Sequence, residues 1–192
     1  MDQISYALGV LLGANLKQQG FNELDAASFL KSFQSVLNDE QIDMDINKAN
    51  QLVQEHMAGA LGKANAESGL AFLEENSKRE GVISLASGMQ YEIMKEGNGP
   101  KPSASDKVTT HYHGMLIDGK VFDSSVQRGE PATFPVNGVI AGWVEALQLM
   151  SVGSKWKLFI PSQLAYGPSG AGQDIGPNAT LIFEVELFEL QN

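Results

Sequence analysis

Residues 139–150, VIAGWVEALQLM, decide the fold of this 192-residue chain. The stretch predicts an extended approach, a glycine and then a short helix that begins at Trp143. A tryptophan at a helix start, preceded by Val139 and Ile140, can form the floor and rim of an apolar pocket. Gly142 would let the backbone pass close to an occupant of that pocket. The alternative is that Trp143 lies in the hydrophobic core and forms no pocket. Aromatic side chains commonly occupy such cores.

Composition and charge narrow the classes of function. The hydrophobic fraction is 43% and the charged fraction 19%, as in ordinary folded proteins. The net charge of −10 argues against a nucleic-acid partner, since no basic run is present to bind phosphates. The chain has no cysteine, which excludes disulfides, thiolate catalysis and thiolate metal sites.

The amino-terminal residues indicate in which cellular compartment the protein is expected. The opening MDQIS lacks the basic region and the long apolar region of a signal peptide. No apolar run approaches the ~20 residues that a membrane-spanning helix needs. We therefore expect a cytoplasmic protein without a membrane span. A periplasmic or outer-membrane-associated location is the alternative if a leader has been removed.

The prolines divide the chain into two parts. All seven lie from Pro100 onward, and proline breaks helix interiors. This asymmetry predicts a helical first half and a strand-and-turn second half, with the boundary near Gly81 to Gly88. We expect a helical domain over residues 1–81 and a second domain over residues 82–192.

Apolar residues at helical spacing predict three helices in the first half. The first ends at Gly20, the second begins at the N-cap candidate Asp25, and the third runs from about Asp45 to about Arg79. The third helix would be a rod of about 50 Å. Two short helices cannot cover such a rod, and a second copy of the chain is the simplest partner.

We therefore expect a homodimer through residues 1–75. Gly9 and Gly13, one helical turn apart, would let two helices approach closely. The alternative is that this glycine pair is only a packing detail inside one subunit.

The second half alternates with the period of two that is typical of strands. The strand candidates are residues 89–94, 107–116, 121–122, 132–136, 154–160 and 179–190. Asp118-Gly119 is a turn signal that should fold residues 107–116 back as a hairpin. We expect five antiparallel strands around the short helix at Trp143, an α+β half-barrel.

Two histidines are the only candidate metal ligands in the second half. His111 and His113 lie on the same face of one predicted strand. No third ligand accompanies them, so we interpret them as exposed strand histidines and expect neither a metal nor a cofactor.

An apolar group containing one carboxylate is the remaining candidate site. Its carboxylate is Asp123, and each apolar member sits at a strand end, a helix start or a turn-rich loop. The apolar members are Tyr112, Phe122, Val139, Ile140, Trp143, Tyr166 and Phe183. The residues alone leave two interpretations open, a core and a pocket.

Several of these motifs resemble the FKBP-type peptidyl-prolyl isomerases. The resemblance covers residues 88–190 in order. It is carried by HYHGML at 111–116, VFDSS at 121–125, VIxGW at 139–143, LAYG at 164–167 and ATLIFEVEL at 179–187. The helical first half, which opens ISYALG at 4–9, resembles the dimerisation region of the bacterial Mip-like subgroup, in which a long helix joins the dimer base to the catalytic domain.

The resemblance implies an enzyme that isomerises Xaa-Pro bonds in proline-containing or unfolded polypeptides. The implied catalytic residues are Asp123, Tyr166, Phe122, Trp143 and Ile140. The implied substrate-binding residues are Tyr112, Arg128, Val139, Ile175 and Phe183. Trp143 would seat the proline ring, while the Ile140 N–H and the Tyr166 hydroxyl would hold flanking carbonyls. Asp123 would either face the rotated carbonyl carbon or orient Tyr112 and Arg128.

Two further expectations concern binding. The main alternative to an enzyme is a chaperone or binding module that binds proline-containing chains without turnover, and both functions can coexist in one dimer.

A macrolide of the tacrolimus or rapamycin type is a candidate ligand. Ala132 stands where the strongest macrolide-binding members of the family carry phenylalanine, so we expect a thinner pocket wall there.

Overall fold

The computed structural model describes residues 2–191. The contacts divide the chain between Ala60 and Leu61 into two compact units. Three helices occupy the first part of the chain, α1 Gln3–Gln18, α2 Ala26–Leu37 and α3 Ile46–Asn76. None of the helices within residues 2–191 is long and apolar enough to cross a bilayer.

Side-chain caps define where α1 and α2 begin. Asp2 accepts a hydrogen bond from the Ser5 backbone N–H (2.7 Å), and Asp25 accepts one from Ser28 (2.8 Å). These bonds satisfy backbone donors that the first helical turn leaves free. The N-cap predicted at Asp25 is confirmed. The third helix ends at Asn76, three residues before the predicted end.

The unit of residues 2–60 leaves its apolar side chains uncovered. No residue of α1 or α2 is buried, and Leu11 of α1 is 67% exposed. An open cleft of about 620 Å³ lies between α2 and the segment that leads into α3. Phe29 and Phe33 of α2 and Met44 and Ile46 opposite them line it.

The second unit contains a seven-stranded antiparallel sheet. Its strands are β1 Val82–Ser84, β2 Gln90–Lys95, β3 Lys107–Leu116, β4 Val121–Ser124, β5 Ala132–Pro135, β6 Lys155–Ile160 and β7 Leu181–Gln191. The order is β1-β2-β6-β7-β3-β4, and β5 also pairs with β3. Two helices complete the unit, α4 Ser125–Arg128 and α5 Ala141–Leu149.

The architecture confirms the predicted α+β class, but the sheet has seven strands rather than five. Six of the strands correspond to the six strand candidates of the sequence, and only β1 has no counterpart among them. β1 contains only three residues. So few residues cannot define a period of two in the sequence.

Helix α5 packs against one face of the sheet. Trp143 and Leu147 of α5 are buried with Leu158 and Ile160 of β6 in one hydrophobic cluster. The helix begins at Ala141, two residues before the predicted start. The prediction for Gly142 was wrong: a Cβ atom there would lie 2.6 Å from Cγ2 of Ile160, so the glycine seats α5 on β6 instead of admitting an occupant of the pocket.

The carboxyl-terminal half of α3 covers the opposite face of the sheet. Because strand side chains alternate between faces, Phe159 points away from α5 and is buried with Leu73 and Ile182. Gln90 donates a hydrogen bond to the Leu73 carbonyl (2.8 Å) and accepts one from Asn76 (2.8 Å). Residues 61–76 thus belong to the packed second unit, while the domain boundary at 81/82 stays a prediction.

This packing makes Leu73 a determinant of stability. Leu73 is 8% exposed, whereas Leu70 on the same helix is 71% exposed. We expect Leu73→Ala to lower the free energy of unfolding by about 2–4 kcal/mol, since it removes buried methyl groups and leaves a cavity. The matched Leu70→Ala variant should change it by less than about 0.5 kcal/mol. Urea denaturation followed by circular dichroism measures both, and equal losses in the two variants would contradict the assignment.

Candidate active site

A cavity of about 490 Å³ opens at the amino-terminal end of α5. Strands β3, β4, β5 and β7, the approach to α5 and the turn after β6 supply its walls. The lining residues are Tyr112, Phe122, Asp123, Phe134, Gly138, Val139, Ile140, Trp143, Tyr166 and Phe183. The surface is therefore mainly aromatic and aliphatic, with a single carboxylate.

Trp143 is fixed by three aromatic rings. Its indole lies edge-to-face against Tyr112 (centroids 5.5 Å apart), Phe134 (5.9 Å) and Phe183 (5.3 Å). Aromatic pairs favour this geometry because a positive ring edge meets a negative ring face. Trp143 is 4% exposed and still lines the cavity, so its surface forms the floor of the pocket.

Gly114 of β3 makes room for the aromatic wall. A Cβ atom at this position would lie 2.7 Å from the Phe183 ring and 2.8 Å from the Phe122 ring. Phe122 and Phe183 pack edge-to-face there, with centroids 5.4 Å apart. Any side chain at position 114 would push these two rings apart.

The polar groups of the cavity form one connected cluster. The Tyr112 hydroxyl donates a hydrogen bond to Asp123 Oδ2 (2.5 Å), and Arg128 donates to Asp123 Oδ1. Arg128 also donates to the Tyr112 hydroxyl oxygen (2.8 Å) and lies over the Tyr112 ring. Both carboxylate oxygens of Asp123 are thus engaged within the protein.

This cluster sets the ionisation states at the site. Partial burial acts to raise the pKa of Asp123, but hydrogen bonds from Tyr112 and Arg128 together with the arginine charge outweigh it and hold that pKa below its usual value. Burial, and then the hydrogen bond to Asp123, raises the pKa of Tyr112 above its usual value. At neutral pH the carboxylate is therefore ionised and the phenol protonated.

Two serines fasten α4, and with it Arg128, to β3. Ser124 Oγ caps α4 by accepting from the Gln127 N–H (3.2 Å), and it bonds to His113 Nδ1 (2.9 Å). Ser125 Oγ accepts from the Tyr112 N–H (2.7 Å) and bonds to His111 Nδ1 (2.9 Å). The interpretation of both histidines as exposed was wrong, because each is half-buried by its serine contact.

The structure brings together eight of the ten residues predicted for the site. Arg128 does not line the cavity and reaches it through Asp123 and Tyr112. Ile175 does not line it either, and is buried in the cluster that contains Trp143. Phe134 and Gly138 also line the cavity and were not predicted from the sequence. Phe134 follows Ala132 by two residues on β5, so the alternation of that strand would have placed it on the same face.

The antiparallel sheet, the aromatic cavity and the helical first part fit the class that the sequence motifs resemble, a peptidyl-prolyl isomerase with an additional amino-terminal region, and comparisons with known proteins test this assignment. Residues 99–188 match the family model described as FKBP-type peptidyl-prolyl cis-trans isomerase. Residues 1–93 match the model for the domain amino-terminal to it. The chain is 46% identical to the FKBP-type 22 kDa peptidyl-prolyl cis-trans isomerase of Escherichia coli, over 98% of this chain and 94% of that protein.

Two further relatives are similar to this protein over nearly the whole chain. The outer membrane protein MIP of Legionella longbeachae is 41% identical, over 99% of this chain and 85% of that protein. The crystal structure of FkpA from Escherichia coli has a TM-score of 0.71 at 35% identity and covers 98% of this chain and 95% of that one. The chain therefore belongs to the FKBP-type peptidyl-prolyl cis-trans isomerase family, which confirms the resemblance found in the sequence. These relatives give no support to the cytoplasmic location expected above.

Proposed function

We propose that the cavity over Trp143 accelerates cis–trans isomerisation of Xaa-Pro bonds in folding client polypeptides. The observation that carries this proposal is a mainly apolar cavity with an indole floor, inside a chain of the isomerase family. Aromatic rings, a tyrosine hydroxyl and backbone groups suffice for this chemistry, because the reaction makes and breaks no covalent bond.

The apolar surroundings supply the rate enhancement. Rotation about the peptide bond faces a barrier of ~18–20 kcal/mol because twisting destroys amide resonance. The twisted amide has a less polar carbonyl and a more pyramidal nitrogen than the planar, hydrated ground state. A water-poor pocket therefore binds the twisted form better than the planar form. Lowering the barrier by about 4–5 kcal/mol would accelerate the reaction roughly a thousandfold or more.

Backbone and hydroxyl groups hold the substrate around the seated ring. The carbonyl of Ile140 starts α5 by accepting from the N–H groups of Trp143 (2.9 Å) and Val144 (3.1 Å). Within residues 2–191 the N–H of Ile140 donates no hydrogen bond, so it is free to bind a substrate carbonyl. Tyr166, 41% exposed at the cavity wall, presents a second donor.

For Asp123 we favour the orienting role. Its two oxygens already accept hydrogen bonds from Tyr112 and Arg128. A carboxylate engaged in this way fixes the wall formed by Tyr112 and the position of the arginine charge. An approach to the substrate carbonyl carbon would have to occur without moving the carboxylate out of these two bonds, which hold it against Tyr112 and Arg128.

Two cavity residues, Asp123 and Phe122, should determine the rate of peptide isomerisation. Asp123→Ala and Phe122→Ala should each lower kcat/KM on a peptide with leucine before proline by about tenfold or more, because one loosens the polar cluster and the other opens the apolar wall. A protease-coupled prolyl isomerisation assay measures the rates, and circular dichroism verifies the fold.

Matched controls use the same residue types outside the cavity. Asp118 is exposed in the turn between β3 and β4, and Phe188 lies on β7 against His111. Asp118→Ala and Phe188→Ala should keep kcat/KM within about twofold. Normal rates in both Asp123→Ala and Phe122→Ala would refute the proposed site.

We further propose that the chain acts as a homodimer through residues 1–75. Support comes from the apolar side chains of α1 and α2, none of which is buried, and from the apolar cleft beside α2. A monomer would leave this surface in water at a large free-energy cost. Two cavities in one dimer would hold an unfolded client at two points, since tethering raises the effective concentration.

A monomeric variant should distinguish chaperone action, which we expect to need the dimer, from peptide isomerisation, which we expect a single subunit to perform. Leu11→Glu, at an exposed apolar position of α1, should give a monomer in analytical ultracentrifugation at micromolar concentration, whereas Gln18→Glu on the same helix should leave the dimer intact. The monomeric variant should retain peptide isomerisation but protect an aggregating client less well than the wild type. A wild-type monomer at micromolar concentration would rule out the dimer.

We also propose a macrolide of the tacrolimus or rapamycin type as a ligand of this mainly apolar cavity of about 490 Å³. Ala132 on β5 is half-buried and lies outside the lining residues. A methyl group at this position contributes less apolar contact than a phenylalanine would, so we propose modest affinity.

A further inference from the structure

The segment between Tyr166 and β7 is closed on itself by backbone hydrogen bonds. The N–H of Asn178 donates to the Gly167 carbonyl (2.8 Å), which joins the two ends of the segment. Near its tip Ala171 and Ile175 exchange two bonds, of 2.8 and 3.1 Å. Residues 167–178 therefore form a compact loop, called the closing loop below.

Helix α3 binds the closing loop through two asparagines. The side-chain amide of Asn65 on α3 donates to the Pro177 carbonyl (2.9 Å). In the reverse direction, the side-chain amide of Asn178 donates to the Gly62 carbonyl on α3 (3.2 Å). The two bonds join the helix to adjacent residues of the loop, so the loop cannot shift along the helix without losing both.

Close packing supports these two bonds. A Cβ atom at Gly69 would overlap the Thr180 hydroxyl and lie 3.2 Å from Thr180 Cβ. Only a glycine therefore lets α3 come this near to Thr180, two residues beyond the end of the loop. Asn178 has φ +55°, a left-handed conformation that asparagine tolerates better than most residues.

The closing loop begins directly after a residue of the cavity wall. Tyr166 lines the cavity and is joined by its peptide bond to Gly167, which Asn178 holds. Ile175 in the same loop is buried in the cluster that contains Trp143. A path of direct contacts thus runs from Gly62 through Asn178 and Gly167 to Tyr166.

We propose that Asn65 and Asn178 are positioning residues of the isomerase site, and that α3 sets the catalytic efficiency by holding the closing loop. In this proposal α3 supports the substrate site in addition to connecting the first part of the chain to the sheet. The inference rests on the proposed function, since it concerns the Tyr166 donor of that site.

The test uses the full chain and two variants that remove one bond each. Asn65→Ala removes the donor to Pro177 and favours the helix, because alanine is the best helix former. Asn178→Gly removes the donor to Gly62 and keeps the left-handed backbone accessible. Each should lower kcat/KM on a leucine-proline peptide about three- to tenfold. Asn50→Ala, an exposed asparagine of the same helix, is the matched control and should equal the wild type.

A double-mutant cycle separates positioning from a general loss of stability. If Asn65 acts through Tyr166, Asn65→Ala should add little further loss in a Tyr166→Phe background, so the two effects should be clearly non-additive. All variants are assayed well below their unfolding temperatures. An unchanged kcat/KM in Asn65→Ala and Asn178→Gly, or an additive cycle, would overturn the inference. An inactive wild type would instead refute the proposed function itself.

Discussion

The packing of one indole decides the architecture of this protein. Trp143, in the first turn of α5, meets the rings of Tyr112, Phe134 and Phe183 edge-on, so helix and sheet are joined at the floor of the cavity, where we propose that the substrate ring sits. The same contacts bury the side chain and leave part of its surface as the pocket floor. On the proposed function, stability and activity both depend on this residue, and a change that loosened the three rings would lower both.

The sheet serves a different purpose on each face. One face, with α5, builds the apolar cavity, and the other is covered by residues 61–76 of α3 through Leu73, Phe159 and Ile182. Helix α3 also forms hydrogen bonds with Pro177 and Asn178, at the end of the loop that begins after the cavity residue Tyr166. The helical unit of residues 2–60 buries none of its α1 and α2 side chains, which is the physical reason for proposing a second copy of the chain.

The long elements were predictable because their periodicity is strong. Strand β3 has the predicted bounds, and its buried residues alternate from Val108 to Tyr112. Short strands carried no such signal, and β1 was missed for that reason. The cavity was predicted through family motifs rather than periodicity, which explains why Phe134, outside those motifs, was overlooked. The role of Gly142 depends on contact with Ile160, 18 residues away in sequence, and no local pattern reveals a contact of that kind.

The central claim is that this cavity lowers the barrier by desolvating and orienting an amide, with no proton transferred in the rate-limiting step. Against partial burial, hydrogen bonds from Tyr112 and Arg128 lower the pKa of Asp123, while burial and the bond to Asp123 raise the pKa of Tyr112. Both pKa values therefore move away from neutral pH, whereas an effective general acid or base has a pKa near it. The most direct measurement is the solvent isotope effect on kcat/KM for a leucine-proline peptide, taken in H₂O and D₂O on the pH-independent plateau. The account predicts a ratio close to one, and a ratio of about two or more would contradict it.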